Sequence, residues 1–360
     1  MRKSLASSLC GVLLTLTACT GGGTTAGSAS NEVVVFMPST SVPYLAQWAK
    51  GVEDALSDSE YRVRLVQSSN GQTEQDQQVQ QILSSGTKPV AYLWWPNNNA
   101  AGVASMAALS RSGAPVVAVN QLPPPEADQY YAYYSGVNDV GIGQIGAENI
   151  LAARQQLTDR GVPMHSPGGN LVAVDFGSGY GASIDRIDGL RQGLETSGVS
   201  IIDVQSGGLD QTAGFEAMSA AIPKNRAQGI DLVFATGDGV AQGVIQALEQ
   251  AGYRPGEDVM VVGGNCAGEP KGLENGTQFA SAVQGAVLEG QHTGLTLKRF
   301  LDNGQQVVDG DHTAEATPDA PPEAGAEVFR RNFIPTPPID KAAIGGFRLW
   351  GYDFDQLCVY

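Results

Sequence analysis

Positive charge is scarce in this chain: 21 lysines and arginines stand against 37 acidic residues, a net charge of −16. A chain so short of basic residues has no electrostatic footprint for nucleic acid, and its acidity chiefly favours solubility. Histidine is rarer still. His165, His292 and His312 lie far apart and none is spaced as part of a metal pair, so no metal site is expected. No Gly-x-Ser-x-Gly elbow occurs, and the nearest match, Phe176 to Tyr180, lacks the first glycine. After residue 18 no apolar run approaches the length of a membrane span. These absences argue against an enzyme, a nucleic-acid partner and a cofactor, and none of the three is expected.

What is present begins at the N-terminus. Arg2 and Lys3 precede an apolar stretch, Leu5 to Ala18, too short to cross a bilayer and remain there. It ends in Leu16-Thr17-Ala18-Cys19, which resembles the bacterial lipobox, whose cysteine is acylated and becomes the first residue of the mature protein. Residues 1–18 are therefore expected to be a lipoprotein signal peptide, with Cys19 the lipidated residue; the alternative is an ordinary signal peptide with a chance cysteine. Residues 19–31, small and polar, read as a flexible tether. The expectation is an extracytoplasmic protein held to the cell membrane by its lipid. Of four cysteines, Cys10 leaves with the signal and Cys19 takes lipid, so Cys266 and Cys358 remain. An oxidising compartment favours a disulfide between them; two separately buried thiols are the other reading.

Hydrophobic residues make up 42% of the chain, enough for real cores, and 360 residues suggest about two domains. Short apolar runs at 33–37, 90–95 and 116–119 alternate with helical patterns at 43–56, 72–85 and 100–112, the signature of a parallel sheet. After a strand-like piece at 130–137 and a small-residue helix at 141–152 the alternation restarts, with strands at 171–176, 201–204, 232–235 and 259–262. A short strand at 279–283 and a helix at 290–302 follow. Residues 303–327 read as a long loop, and the tail from Phe347 to Tyr360 is aromatic enough to need a surface to pack on.

Chemistry-bearing residues recur just beyond the strand ends. Ser41 and Tyr44, Trp95, Asn120 and Gln121, Asn138 and Asp139, Asp175, Asp238 and Asn265 all follow an apolar run. That is where open α/β sheets bind ligands, although any single one can instead be a helix N-cap. Amides and carboxylates hydrogen-bond hydroxyls, and aromatic faces stack on sugar C–H faces. The run Gly177 to Ala182 formally fits a dinucleotide fingerprint, but alone it is a weak signal for a turn that needs glycine anyway.

The segments PSTSVPY, VVAVNQ, SGVNDVGIGQIGA, ASIDRIDGLRQGL, DLVFATGDGVAQGVIQAL and DVMVVGGNCAG resemble the type I periplasmic sugar-binding proteins of ABC transporters, the ribose-binding group in particular. The resemblance covers about residues 33–300. It implies two Rossmann-like, doubly wound parallel-sheet lobes joined by three crossovers, with ligand held between them and no catalysis. The corresponding division is residues 32–137 plus 284–330 for one lobe and 138–283 plus 331–360 for the other and the tail. By position Tyr44 matches a stacking aromatic, Arg186 a ligand-binding arginine and Gln284, one place out, a glutamine. Asn120 and Gln121 replace an Asp-Arg pair, Asn138-Asp139 an Asp-Asn pair, Gly237 the amide before Asp238, Asn265 an aspartate and Leu209 an aromatic. Trp95 either supplies the missing aromatic wall or is core, and Arg186 is either a ligand group or a surface arginine paired with Asp185 or Asp188. Fewer carboxylates beside Arg186 leave room for an acidic ligand. The implied partners are a sugar, polyol or sugar acid and an ABC permease, with the protein a monomer. A sensory lipoprotein of the same fold, signalling to a membrane kinase, is the alternative.

Overall fold

The computed structural model describes residues 31–359 apart from 70, 178, 269 and 322–326. The expected signal peptide, Cys19 and the tether up to residue 30 lie outside the described residues.

The chain opens with β1 (Glu32–Pro38), α1 (Pro43–Leu56), β2 (Arg62–Ser68), α2 (Gln72–Ser84), β3 (Ala91–Trp94), α3 (Val103–Ser110), β4 (Val116–Val119) and β5 (Tyr133–Gly136). It continues with α4 (Asp139–Asp159), β6 (Asn170–Asp175), α5 (Gly181–Leu194), β7 (Ser200–Ser206), α6 (Gln211–Lys224), β8 (Leu232–Ala235), α7 (Asp238–Gln250), β9 (Met260–Gly263), α8 (Lys271–Asn275) and β10 (Ala280–Ala282). Then come α9 (Ala286–Asp302), β11 (Val308–Thr313), β12 (Phe329–Phe333) and β13 (Pro338–Asp340). The tail forms β14 (Arg348–Leu349), β15 (Tyr352–Asp353) and α10 (Phe354–Cys358).

Two large sheets result among the described residues, one per lobe, besides the short antiparallel pair β14–β15 in the tail. The first has seven strands in the order β11-β12-β5-β4-β3-β1-β2, all parallel. The second has six, β13-β10-β9-β8-β6-β7, parallel except for the antiparallel edge pair β13–β10. Their central strands are apolar throughout, as burial on both faces requires: VVAV in β4 and LVFA in β8 are buried at every position. This is the α/β, two-lobed parallel architecture anticipated from the alternating pattern.

The chain passes between the sheets three times, after β5, after β10 and after β12. The third passage lies at residues 334–337, since Phe333 still pairs with Gly136 in the first sheet; the sequence division at 330 falls a few residues early. Within the stretch read as a loop, β11 forms although all six of its residues are exposed. It joins the sheet by pairing with β12, helped by the Asp311–Arg331 ion pair and the stacking of His312 on Phe329, and carries no apolar alternation to reveal it.

Each passage contributes one buried aliphatic residue, Val137, Val283 and Ile334, to a single apolar cluster. The aromatic tail supplies that cluster's cover: Trp350, Phe354 and Leu357 are buried in it, with Val287 and Leu288 of α9. A disulfide joins Cys358 of α10 to Cys266, which follows β9 in the second lobe. On the other side the Gln291 amide donates to Tyr352 Oη at 2.7 Å, tying the tail to the first lobe.

A matched pair of helices stands behind the hinge in each lobe. In the first lobe α1 crosses α9 at Gly51 and Gly290. A Cβ at Gly51 would lie 2.3 Å from the Val287 carbonyl oxygen, and one at Gly290 2.0 Å from that of Trp48. In the second, α4 crosses α5 at Gly143 and Gly189, where a Cβ would come within 2.1 Å of the Arg186 carbonyl oxygen and 2.0 Å of that of Val140. Only glycine allows backbones so near, and the close crossings bring side chains from the first turns of these helices together beside the hinge.

Candidate ligand-binding cleft

Between the lobes lies a cavity of about 250 Å³. Its first-lobe wall carries Tyr44 and Leu45 from α1, Trp95 and Asn97 beyond β3, and Asn120 beyond β4. The second-lobe wall carries Asp139, Phe176, Tyr180, Arg186, Leu209, Gly237 and Asn265, and Gln284 enters from the second passage between the lobes. The lining is thus drawn mostly from strand ends, where neighbouring strands diverge and leave a crevice.

The aromatic part is shared equally between the lobes. Trp95 is 2% exposed, packs edge-on against Trp48 at 5.1 Å between ring centroids, and presents its remaining edge to the cavity, so it is both core and wall. Tyr44 stands edge-on to it at 6.3 Å. Across the cleft Phe176 lies over the Arg186 guanidinium, 5.2 Å from its ring centroid, and edge-on to Tyr180.

The polar part is a continuous hydrogen-bond chain through the hinge. Arg186, 2% exposed, donates from Nε to Asp139 Oδ1 at 2.8 Å, from Nη1 to the Thr236 carbonyl at 2.6 Å and from Nη2 to Gln284 Oε1 at 2.8 Å. Gln284 Oε1 also accepts from Asn265 Nδ2 at 3.1 Å. Its Nε2 turns the other way and donates to Tyr44 Oη at 2.7 Å and, at 3.4 Å, to Glu289 Oε2. Tyr44 in turn donates to Glu289 Oε2 at 2.5 Å, and Asn120 Nδ2 reaches both oxygens of the same carboxyl group at 3.1 and 3.3 Å. One amide therefore faces a carboxyl group in the first lobe with its N–H₂ and a guanidinium in the second with its oxygen. Asn120 holds the left-handed φ of 62° that ends β4, a conformation asparagine tolerates better than most side chains.

Burial sets the electrostatics. Glu289 is fully buried and its carboxyl pKa is pushed up to about 7 by desolvation, which the bonds from Tyr44, Asn120 and Gln284 only partly oppose. Asp139 is raised by the same cause and pulled back by Arg186. Asp238 is pushed up to about 7 by burial, against a 2.6 Å bond from Ser281 Oγ. The Tyr180 hydroxyl is raised as well, by its own desolvation first and the Asp139 charge next.

Of the residues singled out from sequence, Tyr44, Trp95, Asn120, Asp139, Arg186, Asn265 and Gln284 line the cavity together. Five stand elsewhere, among them Asp175, whose Oδ1 accepts from Gly177 N at 2.7 Å in the turn after β6. Ser41 is exposed and bonded to Ser39, outside the lining. Asn138 caps α4, its Oδ1 accepting from Gly141 N. Asp238 is sealed behind the wall on Ser281. Gln121 bridges the lobes, donating to the Pro96 carbonyl and accepting from Gly181 N at 3.0 Å. Arg186 is no surface arginine: its ion pair is with Asp139, while Asp188 pairs with Arg191. The glycine run fits the same lobe contact, since Asn99 N donates to the Gly179 carbonyl and a Cβ at Gly179 would meet Asn98 Nδ2 at 2.4 Å.

Sequence reasoning missed Glu289, Phe176 and Tyr180. Glu289 was hidden because α9 begins four residues before the expected 290; a lone acid inside the apolar stretch AVLEG was the available signal. Phe176 also explains Gly237. A Cβ there would lie 2.9 Å from the Phe176 ring and 2.6 Å from Asn265 Oδ1, so ring and amide fill the space of a larger side chain.

The sequence pattern of the periplasmic binding protein domain matches residues 33–306. The chain belongs to that family. Among curated proteins, the galactofuranose-binding protein YtfQ of Escherichia coli is 32% identical over 117 residues, 31% of this chain and 36% of that one. The alignment thus spans about a third of the relative's length. Solved structures of periplasmic binding proteins share the fold. A solute-binding protein from Agrobacterium vitis with bound D-fucose matches with a TM-score of 0.70 at 16% identity, covering 91% of this chain and all of that one. A periplasmic ribose ABC transporter protein from Conexibacter woesei matches at 0.67 and 19%, covering 89% and 95%. The homologues of this periplasmic binding protein are solute binders and not enzymes.

Proposed function

We propose that this protein is the extracytoplasmic solute-binding component of an ABC importer, anchored by lipid on Cys19, and that it holds one sugar or sugar-like polyhydroxylated molecule between its lobes. The observation that carries this reading is the cleft itself: aromatic edges of Tyr44, Trp95 and Phe176 beside the amides of Asn120, Asn265 and Gln284 and the Asp139–Arg186 pair. Such a wall offers stacking to C–H faces and both donors and acceptors to hydroxyls. A volume of about 250 Å³ sits at the small end of ligand sites, which run from roughly 300 to 1,000 Å³, and suits a monosaccharide rather than a longer chain. The galactofuranose-binding relative and the fucose-bound structural neighbour support the same class. The protein works as a monomer that closes on its ligand and presents it to the permease. The N-terminal lobe comprises residues 32–137 with the returning segment from 284, and the second lobe residues 138–283 with the disulfide-held tail.

A thermal-shift screen over aldoses, their furanose-forming members and polyols tests the ligand class. A ligand at 100 times its Kd stabilises by about 2.7 kcal/mol, a readily seen shift. If no member raises the melting temperature, the sugar reading fails. Membrane fractionation of Cys19→Ala tests the anchor: the variant should leave the membrane fraction, and continued sedimentation would refute lipidation as the attachment.

A further inference from the structure

Resting on that reading, the arrangement of charge around the cleft narrows the ligand further. We propose that Glu289 is a specificity-determining positioning residue that makes the cleft select neutral polyols over sugar acids. It does not line the cavity. It stands behind the wall and holds three residues that do, Tyr44 by its hydroxyl, Asn120 by its amide and Gln284 through both contacts. These come from three separate segments, the first turn of α1, the end of β4 and the second passage between lobes. Because the carboxyl group takes their hydrogens, Asn120 is left to offer its amide oxygen to the cavity. Asn265 does the same, since its Nδ2 is bound to Gln284 Oε1. Amide oxygens accept from ligand hydroxyls and repel a ligand carboxylate.

The charge count points the same way. Arg186 is the one cation among the described residues that line the cavity. It is already paired with Asp139, and three of its five N–H groups are bound to protein acceptors. Glu289 adds a carboxyl group whose hydrogen-bond partners among the described residues are all neutral. Asp238 and half-buried Asp185 add two more acids within electrostatic reach of the Arg186–Asp139 pair. An anionic ligand therefore finds no unpaired cation. The loss of carboxylates inferred from the sequence around Arg186 is offset by Glu289, which entered from an element beyond the strand ends.

The test uses matched trios of one aldose as its neutral, 2-amino and uronic-acid forms, for several aldoses, with affinities measured by calorimetry on the wild-type protein and Glu289→Gln at about pH 8.5, above the value near 7 at which Glu289 releases its proton. In the wild type the acid should bind at least about tenfold more weakly than its neutral partner, the effect of one charge across a buried path at an effective dielectric near 20. Glu289→Gln should shrink that ratio about tenfold, whatever it does to the affinity of the neutral form. A merely structural role would weaken all three members alike and leave the ratio unmoved, and that result overturns the proposal. Should the variant not fold, the wild-type trio still decides: an acid that binds as tightly as its neutral form refutes the selectivity. If no member of any trio binds, the sugar reading on which this inference rests is itself overturned.

Discussion

The two lobes solve one problem in two ways. Each places a carboxylate in the first turn of a helix beside the hinge, Asp139 on α4 and Glu289 on α9. In each, a glycine-tight crossing with a second helix brings the partner into reach, Arg186 on α5 and Tyr44 on α1. Both carboxylates gain from the helix N-terminus. The partner makes the difference. Asp139 is buried against a cation that opposes its desolvation, whereas Glu289 is buried against neutral donors and titrates near neutrality. A buried acid with a cationic partner works as a structural pin; one without it holds its proton to near neutrality and becomes a charge only above that.

The sharpest way to break this comparison is to remove the cation. Arg186→Ala leaves Asp139 buried and uncompensated, and removing one partner of a buried pair costs about 3–5 kcal/mol. Urea unfolding without ligand should show that loss, and Arg186→Leu combined with Asp139→Leu should recover most of it. If the single variant unfolds at the wild-type midpoint, the pair is not a pin.

The carboxyl group without a cation makes the next largest effect, in the pH dependence. Glu289 is raised from an ordinary 4.5 to about 7, so the folded protein holds a proton that the unfolded chain has released. Its contribution is fully present below about pH 4.5 and lost as pH rises through about 7. At about 1.4 kcal/mol per unit, Glu289→Gln should gain roughly 2–3 kcal/mol on the wild type between pH 4.5 and 8. Denaturant titrations at several pH values give this difference directly, and a pH-independent difference would refute the buried titration. Asp238, raised to about 7 by the same desolvation, should behave alike in Asp238→Asn.

The smallest effect concerns the contact that brings the two lobes together at the cleft. Gln121→Ala removes the bond from Gly181 N across the lobes, worth about 1 kcal/mol. The expected result is ligand release about fivefold faster with an almost unchanged association rate, measured by stopped flow with whichever sugar the screen identifies. An unchanged release rate would mean that Gln121 braces its own lobe and does not help to hold the cleft shut.

Much of this was readable from the chain. The apolar runs at 116–119 and 232–235 are strands buried on both faces, and burial of that kind leaves a continuous hydrophobic signature. Asn120 could be found because it follows such a run directly, and Asp139 because it stands with Asn138 just past the strand-like piece ending at Val137. Glu289 could not, because its role depends on a helix crossing set by Gly51 and Gly290, far apart in sequence. Phe176 and Tyr180 flank a glycine run whose turn chemistry drew attention from its aromatics. β11 escaped for the opposite reason: an exposed edge strand has no buried face, so no apolar alternation records the pairing.

The margins of the two sheets bear on how neighbouring copies of this protein meet. An open sheet edge is a template for pairing with another chain, and long, flat, apolar edges invite aggregation. None of the four here is of that kind. In the first sheet β2 carries Arg62 and Arg64, while β11 carries Asp309 and Asp311 around an irregular register at Gly310. In the second, β13 is three residues long with Pro338 and Asp340, and β7 includes Asp203. Charge on β2 and β11, the irregular register of β11, the proline and short length of β13 and the inward-held Asp203 of β7 all work against a strand of one copy extending the sheet of the next.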